Sequence, residues 1–211
     1  MARDLLGSKC KRCRRAGEKL FLKGDRCNSA KCAMVRRAYA PGAHGKSMSR
    51  GLSEFGKQLA MKQRIKRMYG VLEKQFRKHY EEIENKPGVT GDLLMGRLEL
   101  RLDNVVRKAG FASSPIQARQ LVTHGAFTVN GKPVTIPSFA VKLGDKISIK
   151  ENKKDNGYFK NQIAALKTKK DFPRWIQFNQ SDLIAEVIAM PNREDVGVHV
   201  DPQMVVESYS R

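Results

Sequence analysis

The chain has no cysteine beyond Cys32, although four lie between Cys10 and that point. A stretch of unbroken apolar residues long enough for a bilayer, roughly 20, is missing, so a membrane-spanning role is not expected. The opening "MARDLLGSKC" lacks an apolar core, which argues against a secretion signal. A reducing compartment follows, and structural disulfides are unexpected there. Aromatic residues make up only 7%, with a single tryptophan at 175, so a nucleobase-stacking platform has little to draw on. The four histidines, at 44, 79, 124 and 199, show neither metal nor triad spacing, and no catalytic residue is expected.

Acidic residues are the other scarcity. Against 21 Asp and Glu stand 41 Lys and Arg, a formal charge of +20 on 211 residues. An excess of that size opposes compaction and calls for a polyanionic partner. Nucleic acid fits best, because neutralising phosphates is how basic surfaces gain affinity; an acidic membrane surface or an acidic protein fits less well. Residues 1–86 carry a net +15 and residues 171–211 a net −4. The front is therefore expected to face the polyanion and the tail to pack on protein.

Cys10, Cys13, Cys27 and Cys32 are spaced C-x2-C, thirteen residues, C-x4-C. Two short pairs joined by a returning loop can place four thiolates on a tetrahedron, the geometry of a closed structural zinc site. Lys9, Lys11, Arg12, Arg14, Arg15, Lys31 and Arg36 favour thiolates and offset the charge of such a centre. An iron–sulfur cluster is compatible with the same spacing, and four free thiols are the plain alternative. A redox C-x-x-C pair requires a strand–helix pattern that "KCKRCRRAGEKL" lacks.

"AYAPGAHGKSMSRG" at 38–51 reads as a basic loop carrying His44, Lys46 and Arg50. Ser53 is an N-cap candidate for a helical run with Met61, Ile65, Met68, Leu72, Phe76, Tyr80 and Ile83 on one face. Lys62, Lys66, Arg67, Lys74, Arg77 and Lys78 fall outside that stripe and are candidates for nucleic-acid contact, and Gly70 divides the run. In "RLELRLDNVVRKAG", Leu98, Leu102, Val105, Val106 and Ala109 predict one helix closed by Gly110. Arg97, Arg101, Asn104 and Lys108 recur on its other side, with Asp103 and Arg107 as an i,i+4 pair. "SSPIQ" predicts a capping box at Ser114 and Gln117 with Pro115 at N1. The period then drops to two: "AFTVNGKPVTI" predicts a hairpin turning at Asn130-Gly131, and "LGDKISIK" a further strand. Two helices on a short twisted sheet would present Arg97, Arg101, Arg107, Arg119, Gln120, His124 and Lys132 on one surface. Arginine suits phosphate through its planar fork, and the shape and backbone of folded RNA suit a surface poor in aromatics. His124 equally suits a helix end. "DPQMVVESYSR" predicts a last helix, with Val205 and Tyr209 docking on the helical region before residue 97.

The segment "RLDNVVRKAGFASSPIQARQLVTHGAFTVNGKPV" resembles the S-four RNA-binding domain. With "PGAHG", "YGVLEKQFRKHY", "TGDLLMGRLELRLDNVV" and "VESYSR", the whole chain resembles the bacterial-type small-subunit ribosomal protein four family, in its zinc-binding variant. The resemblance implies an α+β protein: a zinc knot and basic linker at 1–45, a discontinuous helical domain at 46–96 plus 175–211, and an inserted S-four domain at 97–174. It implies a cytoplasmic structural component of the ribosome that binds the five-prime domain of small-subunit rRNA and nucleates assembly. It further implies small-subunit proteins three and five as neighbours, mRNA close by where it enters the subunit, and in some members the protein's own operon mRNA as a target. The rRNA-binding candidates are Lys46, Arg50, Lys62, Lys66, Arg67, Arg97, Arg101, Arg107, Arg119, Gln120, His124 and Lys132, and the metal ligands Cys10, Cys13, Cys27 and Cys32, for one structural zinc. Two other classes compete. An RNA-modifying enzyme anchored by an S-four domain needs a catalytic domain for which little chain is left. A zinc-finger DNA regulator needs a recognition helix, which the thirteen-residue loop does not pattern.

Overall fold

The computed structural model describes residues 7–47, 51–168, 171–196 and 200–210. The chain divides into two compact units, one of 1–94 with 198–211 and one of 95–197. The division falls inside a helix, α6 in the numbering below.

The first unit is helical. It holds α1 (Lys9–Ala16), α2 (Asp25–Asn28), α3 (Ala33–Arg36), α4 (Glu54–Tyr69), α5 (Glu73–Glu81) and the start of α6 (Thr90–Glu99). Ser53 caps α4, its Oγ accepting from Gly56 N–H at 3.2 Å. Gly70 ends the helix with φ 61°, a left-handed angle that suits glycine, so the long apolar run is two helices. Ile65, Phe76, Tyr80 and Ile83 of the expected stripe are buried, and Tyr69 and Val71 join them.

Across more than a hundred residues, α11 (Gln203–Tyr209) returns to pack on α4. Asp201 Oδ1 accepts from Gln203 N–H, Val205 is fully buried, and Gln58 donates to Glu207 at 2.9 Å. Tyr209 stacks on Tyr80 with centroids 4.8 Å apart and donates its hydroxyl to Glu73 at 2.7 Å. Lys62 and Lys66 lie 3.2 and 2.6 Å from the same carboxylate, and the Lys62 ammonium stands over the Tyr209 ring. Glu73 is thus the knot that fastens the last helix.

The second unit contains the rest of α6, then α7 (Leu102–Lys108), α8 (Pro115–Thr123), β1 (Phe127–Val129), β2 (Lys132–Pro133), β3 (Lys146–Ile149), α9 (Glu151–Lys154), α10 (Gly157–Thr168), β4 (Ile176–Asn179) and β5 (Ile184–Val187). The strands form one antiparallel sheet in the order β2-β1-β3-β5-β4. Asn130 and Gly131 both have positive φ, 49° and 78°, as a type I′ hairpin turn requires. Alternation buries Phe127, Val129, Ile147, Ile149, Ala185 and Val187 on one face, against α7, α8, Phe159 and Trp175.

Three expectations need correction. The boundary at residue 175 is misplaced: β4 pairs with β5 and β5 with β3, so 176–187 completes the sheet instead of joining the helical unit. The stretch 97–109 is not one helix. Arg101 is extended after a turn at Leu100, and Val141 N–H donates to Leu100 O while Leu102 and Asp103 N–H donate to Phe139 and Pro137. The spacing that aligned Arg97 with Arg101 and Asn104 is therefore broken. At α8, Ser114 Oγ accepts from Gln117 N–H, but the Gln117 side chain accepts from Ser113, one residue before the expected partner.

The latch makes a pH prediction. Burial alone would raise the Glu73 pKa, but hydrogen bonds from Lys66, Tyr209 and Lys62 outweigh it and hold the carboxyl at about 2, below its ordinary 4.5. A depressed carboxyl stabilises the fold above its unfolded pKa, and that contribution is lost as pH falls through the folded value. Calorimetric comparison of the wild type with Glu73→Gln should show an advantage for the wild type near neutrality that narrows as pH falls from about 4.5 towards about 2. A pH-independent difference would contradict the latch.

Candidate nucleic-acid interface and cysteine cluster

Cys10 and Cys13 lie one turn apart on α1, Cys27 sits in α2, and Cys32 immediately precedes α3. All four, none of them in a disulfide, line one small cavity of about 20 Å³ with Leu22, Lys9, Lys23 and Arg26. Cys13, Cys27 and Cys32 are buried. Lys23 N–H donates to Cys27 Sγ at 3.4 Å. Burial pushes the Cys13 thiol up against a lowering hydrogen bond from the Leu20 backbone, and Cys27, Cys10 and Cys32 push it further. The chemistry suits a soft dication, since four sulfurs repelling one another in a largely buried hollow are what zinc relieves. Among the described residues, however, no three His, Cys, Asp or Glu side chains are arranged as a ligand set.

Around this cluster the surface is cationic. Lys11, Arg15, Lys23, Arg26, Lys31, Arg36 and Arg37 are exposed, and among the described residues no carboxylate pairs with their side chains. Glu18, which could have answered one of them, is bound to Arg64 of α4 instead. The net +15 of residues 1–86 points to this region as a whole; one by one, Lys11, Arg15, Lys31 and Arg36 are expected from the sequence only as thiolate-favouring neighbours, and Lys23, Arg26 and Arg37 are not singled out by it. In the loop that follows, Lys46 and His44 are exposed, and Arg50 lies outside the described residues.

On α4 the expected contacts are less available. Lys62 and Lys66 are about 15% and 12% exposed and committed to Glu73, and Arg67 is half-buried and already engaged. Long cations in solvent here include Lys57 of α4 and Lys74, Arg77 and Lys78 of α5, and Lys57, Arg77 and Lys78 each have a glutamate one turn away. Such exposed pairs contribute little to stability and exchange readily for phosphate.

In the second unit the predicted array does not share one surface. Arg101 is 2% exposed; its Nε and Nη2 donate to the two oxygens of Asp103 at 3.2 and 3.0 Å. Arg119 Nη1 lies 3.6 Å from Asp103 Oδ2. Asp103 thus serves Arg101 and Arg119, not Arg107, which donates to Asn104 at 3.3 Å. Asn104 in turn donates to the buried Glu99. Arg101 is a structural residue here, because the break before α7 turns its side chain inward. Arg97 is half-buried, and that burial lowers its pKa. Gln120, His124 and Lys132 are exposed as expected, joined by Lys142 and Lys146, which the sequence reading passed over. The outer face of the sheet adds an open hollow of about 600 Å³ of mixed lining, bordered by Thr128, Ser148, Ile184, Lys150 and Lys154 together with the acids Glu151 and Asp182.

Comparison with known proteins adds family information to this geometry. Residues 4–99 match the model of the ribosomal protein S4/S9 N-terminal domain, and residues 100–147 match the S4 domain. The chain is 49% identical to the small ribosomal subunit protein uS4 of Clostridioides difficile, covering 97% of this chain and 98% of the relative. It is 50% identical to uS4A of Clostridium novyi, covering 98% of each. With uS4 of Desulforamulus reducens it shares 47% identity, over 97% of this chain and 98% of that protein.

The buried ion pair gives a stability prediction. Asp103→Ala strands the Arg101 guanidinium in the core and should cost about 3–5 kcal/mol. Lys132→Ala, at the exposed hairpin, should change stability by less than about 0.5 kcal/mol. Urea unfolding followed by the fluorescence of Trp175, buried in the same unit, measures both. Equal effects would refute the structural role given to Asp103.

Proposed function

The chain belongs to the small ribosomal subunit protein uS4 family, and from that premise we propose that it is a structural, rRNA-binding component of the small subunit, acting in the cytoplasmic ribosome. The observation that carries the reading is the set of exposed cations that have no acidic partner among the described residues: Lys11, Arg15, Lys23, Arg26, Lys31, Arg36 and Arg37 in one unit, and Lys132 and Lys142 in the other. Each unit offers side chains that gain more from phosphate than from any carboxylate the chain supplies. In the second unit the exposed Gln120 and His124 add hydrogen-bonding groups suited to the sugars and base edges of folded RNA. The protein's part is to hold RNA segments, not to transform them.

The target in this reading is the five-prime domain of small-subunit rRNA, bound early so that later proteins find a prepared surface. Small-subunit proteins three and five as neighbours, mRNA at the channel through which it enters, and repression through the operon mRNA rest on the family resemblance stated above. Footprinting purified small-subunit rRNA with the protein tests the target: protections confined to the five-prime domain are expected. Equal affinity for large-subunit rRNA and duplex DNA would overturn it.

The cysteine cluster in this reading holds one structural zinc through Cys10, Cys13, Cys27 and Cys32. Supporting it are the shared cavity, the burial of three of the four and the backbone donors on two sulfurs. Zinc would supply a cross-link joining α1, α2 and the start of α3, where among the described residues only Leu20 and Leu22 add buried aliphatic side chains. Metal analysis should return about one zinc per chain. Cys27→Ser should release it and loosen the first unit, leaving Trp175 fluorescence of the second unchanged. A protein with four titratable thiols and no metal would contradict this assignment.

A further inference from the structure

The loop 38–47 is rich in glycine and has no helix or strand of its own. Its internal ties are local: Gly45 N–H donates to Gly42 O, and Ser47 donates through both N–H and Oγ to His44 O. What fixes its place is Arg14, which follows Cys13 on α1. Arg14 Nε donates to Tyr39 O at 2.9 Å and Nη2 to Ala40 O at 3.2 Å. Its guanidinium also lies 4.8 Å from the centroid of the Tyr39 ring, and the Lys46 ammonium lies 5.2 Å from the same ring. The loop doubles back so closely that a Cβ on Gly45 would overlap the Ala40 carbonyl, one of the two oxygens Arg14 holds.

We infer that Arg14 is a positioning residue that makes the basic loop an extension of the cysteine-bearing helix and sets where His44 and Lys46 meet RNA phosphate. The inference rests on the rRNA-binding reading for its consequence, though not for its geometry. One planar fork grips two successive carbonyls while its face covers an aromatic ring. Lysine has the charge for this and lacks the plane. The two cations near Tyr39 come from opposite ends of the arrangement, α1 and the far side of the loop, so the ring links them. A loop ordered beforehand does not have to lose its conformational freedom on binding. Removing the Arg14 fork therefore acts on RNA through the loop, while Arg15, exposed beside it, acts as charge alone.

The test uses the full chain, with Arg14→Lys against Arg15→Lys as control. Amide hydrogen exchange in the free protein should speed up about tenfold or more at Gly45 and Ser47, the loop amides that hold acceptors, in Arg14→Lys, as expected for losing charge-assisted hydrogen bonds, and stay at the wild-type rate in Arg15→Lys. In footprints on small-subunit rRNA, Arg14→Lys should lose the same protections that His44→Ala/Lys46→Ala loses, and keep the others. Wild-type exchange in the loop, or loop protections that survive faster exchange, would overturn the inference. Should Arg14→Lys disturb α1 itself, visible as faster exchange at 9–16, Gly45→Ala serves instead: it leaves Arg14 in place, crowds Ala40, and must remove the same protections. If the wild-type protein gives no rRNA protection at all, the functional reading fails, and the exchange measurement alone still decides the link between Arg14 and the loop.

Discussion

Positive charge in excess of the acids available to answer it is the constraint under which this fold is built. With 41 basic and 21 acidic side chains, the carboxylates cannot neutralise the surface, and the structure uses several as internal ties. Glu18 joins the cysteine-bearing segment to α4 through Arg64. Glu73 gathers two lysines and the hydroxyl of Tyr209. Asp103 closes on Arg101 and Arg119, and Glu99 on Asn104 with Lys108 nearby. Spending acids on these anchors leaves a fringe of cations facing solvent. The same economy that holds each unit together thus prepares it for a polyanion.

Local chemistry was legible in the sequence because it depends on neighbours. Ser53, Gly70, Ser114 and the Asn130-Gly131 turn each act over four residues or fewer, and each sits where its residue type predicts. What escaped was non-local. The break at Leu100–Arg101 exists because residues 137–141 take the backbone bonds that a continuous helix would have used. The fourth and fifth strands were invisible as part of the sheet because β4 pairs with β5, and β5 joins the sheet through β3, more than thirty residues upstream. Periodicity cannot report a strand's neighbour.

The candidate site was legible by type and less so by place. Basic residues were identified as the working groups, and Gln120, His124, Lys132 and Lys46 are exposed as required. Arg101 was misplaced because a helical wheel assumes the helix continues, and once it stops the side chain turns inward onto Asp103. Lys62 and Lys66 were misjudged for a similar reason: the glutamate that engages them belongs to the next helix. The cysteines were legible as a group, since their spacing alone brings them around one cavity. The loop's dependence on Arg14 needed coordinates, because nothing in the string "CRRAG" tells one arginine from the next.

Salt dependence of binding probes the central claim most directly. If unpaired side chains on both units meet backbone phosphates, affinity for small-subunit rRNA should fall about 10³–10⁵-fold between about 50 and 200 mM salt, as for about 6–10 phosphates neutralised. An affinity that barely changes over that range would show that the surplus charge is not what holds the RNA.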